Sequence, residues 1–191
     1  YGSKHGLDVD ELDKVSYEQL PVSTLPSVTL MINGEAVPAL FDTGSPITVL
    51  NARAAEAAGI ETTIPIEEAN PDESDSADGG WNPFSKIASN IQSAQKIAKA
   101  TAEGNILQIM GTDGKPVLLV KSKEAETVNI KTASSGEKLL SSSQIFVGDI
   151  PGLQALGGLG GDAPPAAVLG MDVLSKLPRM VFRARQNELY L

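Results

Sequence analysis

Between Leu40 and Leu50 the sequence sets Asp42, Thr43, Gly44 and Ser45 between two apolar runs, Leu40-Phe41 and Ile47-Thr48-Val49-Leu50. An ionisable residue, a hydroxyl and a glycine at such a junction put a tight turn directly onto strands that must be buried. The acid is therefore delivered out of a sheet, a costly place for a carboxylate that has no use. The plain alternative, in which Asp42 only caps its own turn through an Asx bond, ranks second. A chain of 191 residues with 41% hydrophobic side chains has enough apolar sequence for one domain with a core.

Composition excludes several classes of function. A formal charge of -9 and a pI of about 4.6 argue against nucleic acid as a partner. Cysteine is absent, which removes disulfides, thiol catalysis and Cys-ligated metal and leaves the compartment open. His5 is the only histidine, so neither a Ser-His-Asp triad nor a His-rich zinc site is expected. No apolar run reaches membrane-spanning length and no signal-peptide pattern opens the chain. Opening at Tyr1 and not at Met, the sequence reads as a piece of something longer.

Residues 1–24 are polar and acidic and read as a solvated arm; Asp8, Asp10, Glu11 and Asp13 lack the glycine and distal Glu of an EF-hand. From Ser27, alternation of Val28, Leu30 and Ile32 predicts a strand, Asn33-Gly34 a two-residue hairpin, and Glu35 to Phe41 the return strand. Pro38 has no N–H to donate and is expected at an unpaired position or a bulge. Ile47 to Leu50 reads as a strand, Asn51 as the N-cap of a helix Ala52 to Ala58, and Gly59 as its stop, with Ile60 to Ile66 continuing along the sheet.

Glu67 to Gly80 has hardly an apolar side chain and reads as a mobile insertion; a Ca²⁺ site from Asp72, Asp75 and Asp78 is set aside because charge runs are usually solvated. Asn82 to Ala102 is expected to be one helix, with Phe84, Ile87, Ile91, Ala94 and Ala98 on a stripe. Its Lys86, Lys96 and Lys99 raise a membrane-surface or partner-helix role, but Ile87 and Ile91 favour docking on the parent domain. A hairpin follows: Ile106 to Met110, a tip of Gly111, Thr112, Asp113, Gly114 and Lys115, and Pro116 to Val120. Thr127 to Thr132 and Ser143 to Val147 read as short strands with a Ser/Gly/Lys loop between them. Gly157 to Gly161 lacks the Lys-Ser/Thr ending of a P-loop and reads as a flexible loop. Met171 to Leu177 is expected to be a short helix, and Met180 to Phe182 with Glu188 to Leu191 a terminal hairpin.

The apolar-apolar-Asp42-Thr43-Gly44-Ser45 run followed by an apolar strand resembles the active-site turn of aspartic proteases. Ala167-Val168-Leu169-Gly170-Met171-Asp172-Val173-Leu174 resembles the apolar-apolar-Gly loop and short helix late in each lobe of that family, and Gly148 to Leu153 the stretch before it. Only one Asp-Thr-Gly turn is present, since Asp172 follows a glycine instead of preceding one. The resemblance is thus to the single-lobed, retropepsin-like branch, in which two chains each bring one Asp. It covers roughly Ser27 to Ile66 and Asn105 to Leu191, leaving outside it the arm 1–24 and an insertion at about 67–104 within a protease domain of 25–191.

The resemblance implies an all-β, retropepsin-like acid protease β-barrel with a few short helices and an inserted helix. It implies an aspartic endopeptidase acting on peptide or protein substrates as a homodimer, with no metal or organic cofactor. Asp42 from each copy is the expected catalytic group, with Gly44 shaping the turn and offering an N–H and Thr43 bracing it across the dimer. Ser45 is expected to orient the outer carboxylate oxygen. Substrate is expected against the hairpin tip as a flap (Met110, Gly111, Thr112, Asp113, Gly114) and against Val168, Leu169 and Gly170. Two alternatives stay open: a catalytically silent dimerisation or peptide-binding module, and a precursor domain autoinhibited by its arm or insert helix.

Overall fold

The computed structural model describes residues 9–19, 26–66, 94–110, 114, 116–133, 136–150, 164–183, 185–186 and 188–191. The acidic insertion Glu67 to Gly80, the inserted helix from Asn82 through Ile91, the tip residues Gly111, Thr112, Asp113 and Lys115, and Gly157 to Gly161 lie outside them. The strands are β1 (Lys14–Val15), β2 (Tyr17–Gln19), β3 (Pro26–Ile32), β4 (Glu35–Phe41), β5 (Val49–Leu50), β6 (Ile106–Met110) and β7 (Pro116–Lys121). They continue with β8 (Glu126–Thr132), β9 (Gly136–Ser143), β10 (Phe146–Val147), β11 (Ala167–Leu169), β12 (Val181–Arg183) and β13 (Glu188–Tyr190). Among the described residues the helices include α1 (Ala52–Ala57), α2 at 94–102 and α3 (Met171–Leu174).

These strands form one sheet in the order β12-β13-β1-β8-β3-β4-β11-β5-β10-β7-β6, with β2 added to β3 and β9 to β8. The described residues are mostly β-strand with few short helices, in keeping with the expected all-β class. Among the described residues the end strands β12 and β6 do not pair with each other, so the sheet is open where a closed barrel was expected.

The β3–β4 hairpin closes through Asn33 and Gly34, both at positive φ (51° and 88°). That is a type I′ turn, whose twist suits the flanking strands and which Asn and Gly tolerate best. It sets the register that turns Val28, Leu30, Ile32, Val37 and Ala39 into the core. Pro38 sits in register opposite Thr29 with no bulge. Pairs alternate outward from the turn, so Thr29 and Pro38 fall on one that exchanges no hydrogen bonds, and the missing N–H costs nothing there.

Several elements depart from expectation. The segment read as a solvated arm contributes β1 and β2, and Val15 is 1% exposed between the ladders to β13 and β8. The expected Ser/Gly/Lys loop is β9, hydrogen-bonded along β8 with a register shift at Val128/Asn129 and with Leu140 turned inward. Its pairing comes from the free edge of β8, which local composition does not reveal. Ile60 to Ile66 makes only the isolated bridge Thr62 to Ser122 instead of a strand. The ladder on β5 starts at Val49, and α3 ends at Leu174 with Ser175 as its C-cap, short of Leu177.

α1 begins where Asn51 Oδ1 accepts the Ala54 N–H at 2.9 Å and ends before Gly59 at φ 64°. Asn51 is fully buried, and its side chain also takes the Ala166 N–H (3.1 Å) and donates to Pro164 O (2.9 Å). One buried amide thus ties the helix to the entrance of β11. The main core gathers Leu30, Ile32, Leu50, Ile130, Ile145, Leu169, Leu174 and Leu189 between these layers.

Candidate active site

β4 and β5 are consecutive in sequence but not neighbours in the sheet. β11 lies between them, parallel to β4 (Val168 opposite Leu40, Leu169 opposite Phe41) and antiparallel to β5 (Val168 opposite Val49). All three of its residues are buried, as a strand flanked on both sides must be. Residues 42–48 therefore arch over the end of an inserted strand, which is why the turn is wider than a hairpin.

The arch is tied to the strand it spans. Asp42 N–H donates to Leu169 O (3.1 Å), Met171 N–H to Ser45 O (2.9 Å) and Asp172 N–H to Pro46 O (3.2 Å). Gly170 sits where the two backbones touch: a Cβ there would lie 2.2 Å from Ile47 O and 2.4 Å from Ile47 C. Only glycine permits that approach.

Asp42 is half-buried at the crest. Its Oδ1 accepts the Gly44 N–H at 2.8 Å, an Asx-type bond, and its backbone O accepts the Ser45 N–H at 3.2 Å. A Cβ on Gly44 would stand 3.1 Å from that same Oδ1. Among the described residues Asp42 Oδ2 has no hydrogen-bond donor, and the exposed Thr43 side chain makes no hydrogen bond. Ser45 departs from expectation: its hydroxyl donates to Ile47 O at 2.7 Å and so braces the arch, not the outer oxygen of Asp42.

Two residues missed in the sequence belong to this arrangement. Thr48 is fully buried, accepts the Gly170 N–H at 3.0 Å and donates to Asp172 Oδ1 at 2.7 Å; Asp172 Oδ1 also takes the Val173 N–H at 2.9 Å. The available signals were a hydroxyl inside an apolar run and an acid directly after the glycine loop. Neither points to the other across 124 positions.

The hairpin β6–β7 is present, with Gly114 at φ 78°. Leu107, Ile109, Val117 and Leu119 pack with Ile47 and Val49, so the hairpin leans on the outgoing arm of the arch. Met110, at the end of β6, is 69% exposed. A separate polar cleft of about 320 Å³ is lined by Asn33, Gly59, Glu61, Lys123, Glu124 and Glu126 and contains no residue of the arch. Within it Lys123 pairs with Glu61 at 2.7 Å, and Glu126 accepts from the Asn33 amide at 2.6 Å.

No curated protein matches the chain. The family described as aspartyl protease matches over residues 28–79, a segment that holds most of the β3–β4 hairpin, the arch, β5 and α1. That match supports a protease-type function in general terms. Over residues 28–79, under a third of the chain, the stretch that carries Asp42 is thus similar to a retropepsin-like aspartyl protease family.

Proposed function

We propose that the chain is an aspartic endopeptidase whose working form is a homodimer, with the two Asp42 carboxylates facing each other across the two-fold axis. The observation that carries this is the state of the Asp42 turn. One carboxylate oxygen is anchored to the Gly44 N–H, the other has no donor among the described residues, and the sequence holds no second Asp-Thr-Gly turn. Thr43 stands exposed beside it, in keeping with a bracing role toward the other copy.

Two carboxylates about 3 Å apart cannot both ionise cheaply, so the pair holds one proton between them. The ionised Asp42 takes a proton from a water whose oxygen attacks the peptide carbonyl carbon, while the protonated Asp42 gives its proton to the carbonyl oxygen. The resulting gem-diol collapses as the C–N bond breaks. The nitrogen receives the proton taken from water, and a gem-diol hydroxyl returns a proton to the other Asp42. Atoms and charge balance without a metal or an organic cofactor. The β6–β7 hairpin acts as the flap, with Met110 and the tip glycines against an extended peptide, while Val168, Leu169 and Gly170, all buried, support the Asp42 arch from below and do not meet the peptide as the sequence had suggested. The exposure of Met110 and the shared apolar cluster of the hairpin with Val49, against which Ile47 also packs, support that placement of the hairpin.

The test is cleavage of an unfolded protein substrate at about pH 4–6. Asp42→Asn should lower kcat by about 10³-fold or more while leaving dimer mass and melting temperature near those of the parent. Full activity in Asp42→Asn overturns the proposal. An inactive parent that still dimerises and binds peptide would make the chain a silent binding module.

A further inference from the structure

We propose that Thr48 and Asp172 are positioning residues for the Asp42 turn, acting through the hydrogen-bond relay Gly170 N–H to Thr48 Oγ1 to Asp172 Oδ1; this rests on the peptidase function proposed above. The direction of the relay is fixed by its ends. Gly170 N–H is a donor only, so Thr48 Oγ1 accepts from it at 3.0 Å and its own proton points to Asp172 Oδ1 at 2.7 Å. The Val173 N–H fills the same oxygen at 2.9 Å. Thr48 is fully buried between Ile47 and Val49, where an unpaired hydroxyl is costly, so its two bonds leave it a single orientation.

This relay is the side-chain link in a set of contacts that otherwise runs through the backbone. Leu169 O holds Asp42 N–H, and the N–H groups of Met171 and Asp172 hold the carbonyls of Ser45 and Pro46. Thr48 closes the outgoing end of the same arch on the glycine corner, where backbone approaches backbone. Without the relay, the corner can slide along Ile47 and carry Leu169 O, and with it Asp42, off the two-fold axis. A proton-sharing pair tolerates little such drift, since both carboxylates must reach one water and one carbonyl.

The test compares two disruptive changes, Thr48→Val and Asp172→Ala, with two that keep the hydrogen-bonding atoms, Thr48→Ser and Asp172→Asn. In the dimeric enzyme the disruptive variants should lose about 10- to 100-fold in kcat with KM within about twofold. The conservative variants should stay within about threefold of the parent, and the double variant Thr48→Val/Asp172→Ala should be no worse than the poorer single one. Kinetics are read well below each melting temperature, on protein of confirmed dimer mass. Full kcat in folded Asp172→Ala overturns the inference, as does a loss in Asp172→Asn equal to that in Asp172→Ala. Failure of both disruptive variants to fold also overturns it, making the relay a general structural bond. Activity that persists in Asp42→Asn would instead strike the peptidase proposal itself.

Discussion

Gly170 shows how narrow the tolerances of the arch are. The atoms its missing side chain would meet are Ile47 O, C and N at 2.2, 2.4 and 3.0 Å, all backbone and all in a segment already held by hydrogen bonds. Gly170→Ala cannot be relieved by a rotamer change, so it should destabilise the fold by about 3 kcal/mol or more, read as a lowered urea midpoint at unchanged slope. An unchanged midpoint would mean that the two backbones are not in contact. Gly170 and Asp42 were both legible in the sequence, because an apolar-apolar-Gly or apolar-Asp-Thr-Gly junction has few other uses. Ser45 was not. Its hydroxyl has a choice of nearby acceptors, and only the curvature of the arch decides for Ile47 O. Thr48 and Asp172 read singly as a strand threonine and a helix-start acid, and their bond exists only once β11 is inserted.

At the level of elements, hydrophobic alternation and turn chemistry placed β3, β4, β6, β7 and the terminal hairpin, since each carries its own signal. β1, β2 and β9 carry none. They are strands because β13, β3 and β8 offer them an edge. Val15, buried at 1%, gives the N-terminal segment a structural part that a solvated arm lacks. Deleting residues 1–19 should therefore lower the urea midpoint markedly and speed amide exchange in β13, whereas a solvated arm would be removed without effect. The same seam carries a pH signature. Hydrogen bonds from Lys14 at 2.9 Å and from the Tyr190 hydroxyl at 3.1 Å hold the Glu188 carboxyl below its ordinary 4.5. A depressed carboxylate contributes stability that is present above the unfolded-state value and is lost as pH falls through the folded-state value. Glu188→Gln should thus lose less stability than the parent on acidification below about pH 5, by the small amount expected of an exposed pair. An identical acid dependence in both would show that the pair is not formed in solution.

For the whole molecule, the proposed pairing of one Asp turn from each of two chains predicts an activity that depends on concentration. β13 is already flanked by β12 and β1 of its own chain, so the terminal strand is not a loose end waiting for a partner. Association has to work against charge as well: each copy carries a formal -9 at pH 7, and two copies bring like charge together. That repulsion fades as pH approaches the pI of about 4.6 and is screened beyond roughly 8 Å at physiological ionic strength. Dimer formation should therefore tighten between pH 7 and pH 5, and at pH 7 should tighten with added salt. Below the dimer dissociation constant the dimer population scales with the square of chain concentration, so activity per chain should fall in proportion to dilution. Sedimentation and turnover measured over the same dilution series should share one midpoint, and that midpoint should move to lower concentration at pH 5. Activity per chain that stays constant through the range where the mass falls to 19.9 kDa would mean that one copy suffices, and the proton-sharing pair of Asp42 carboxylates would have to be abandoned.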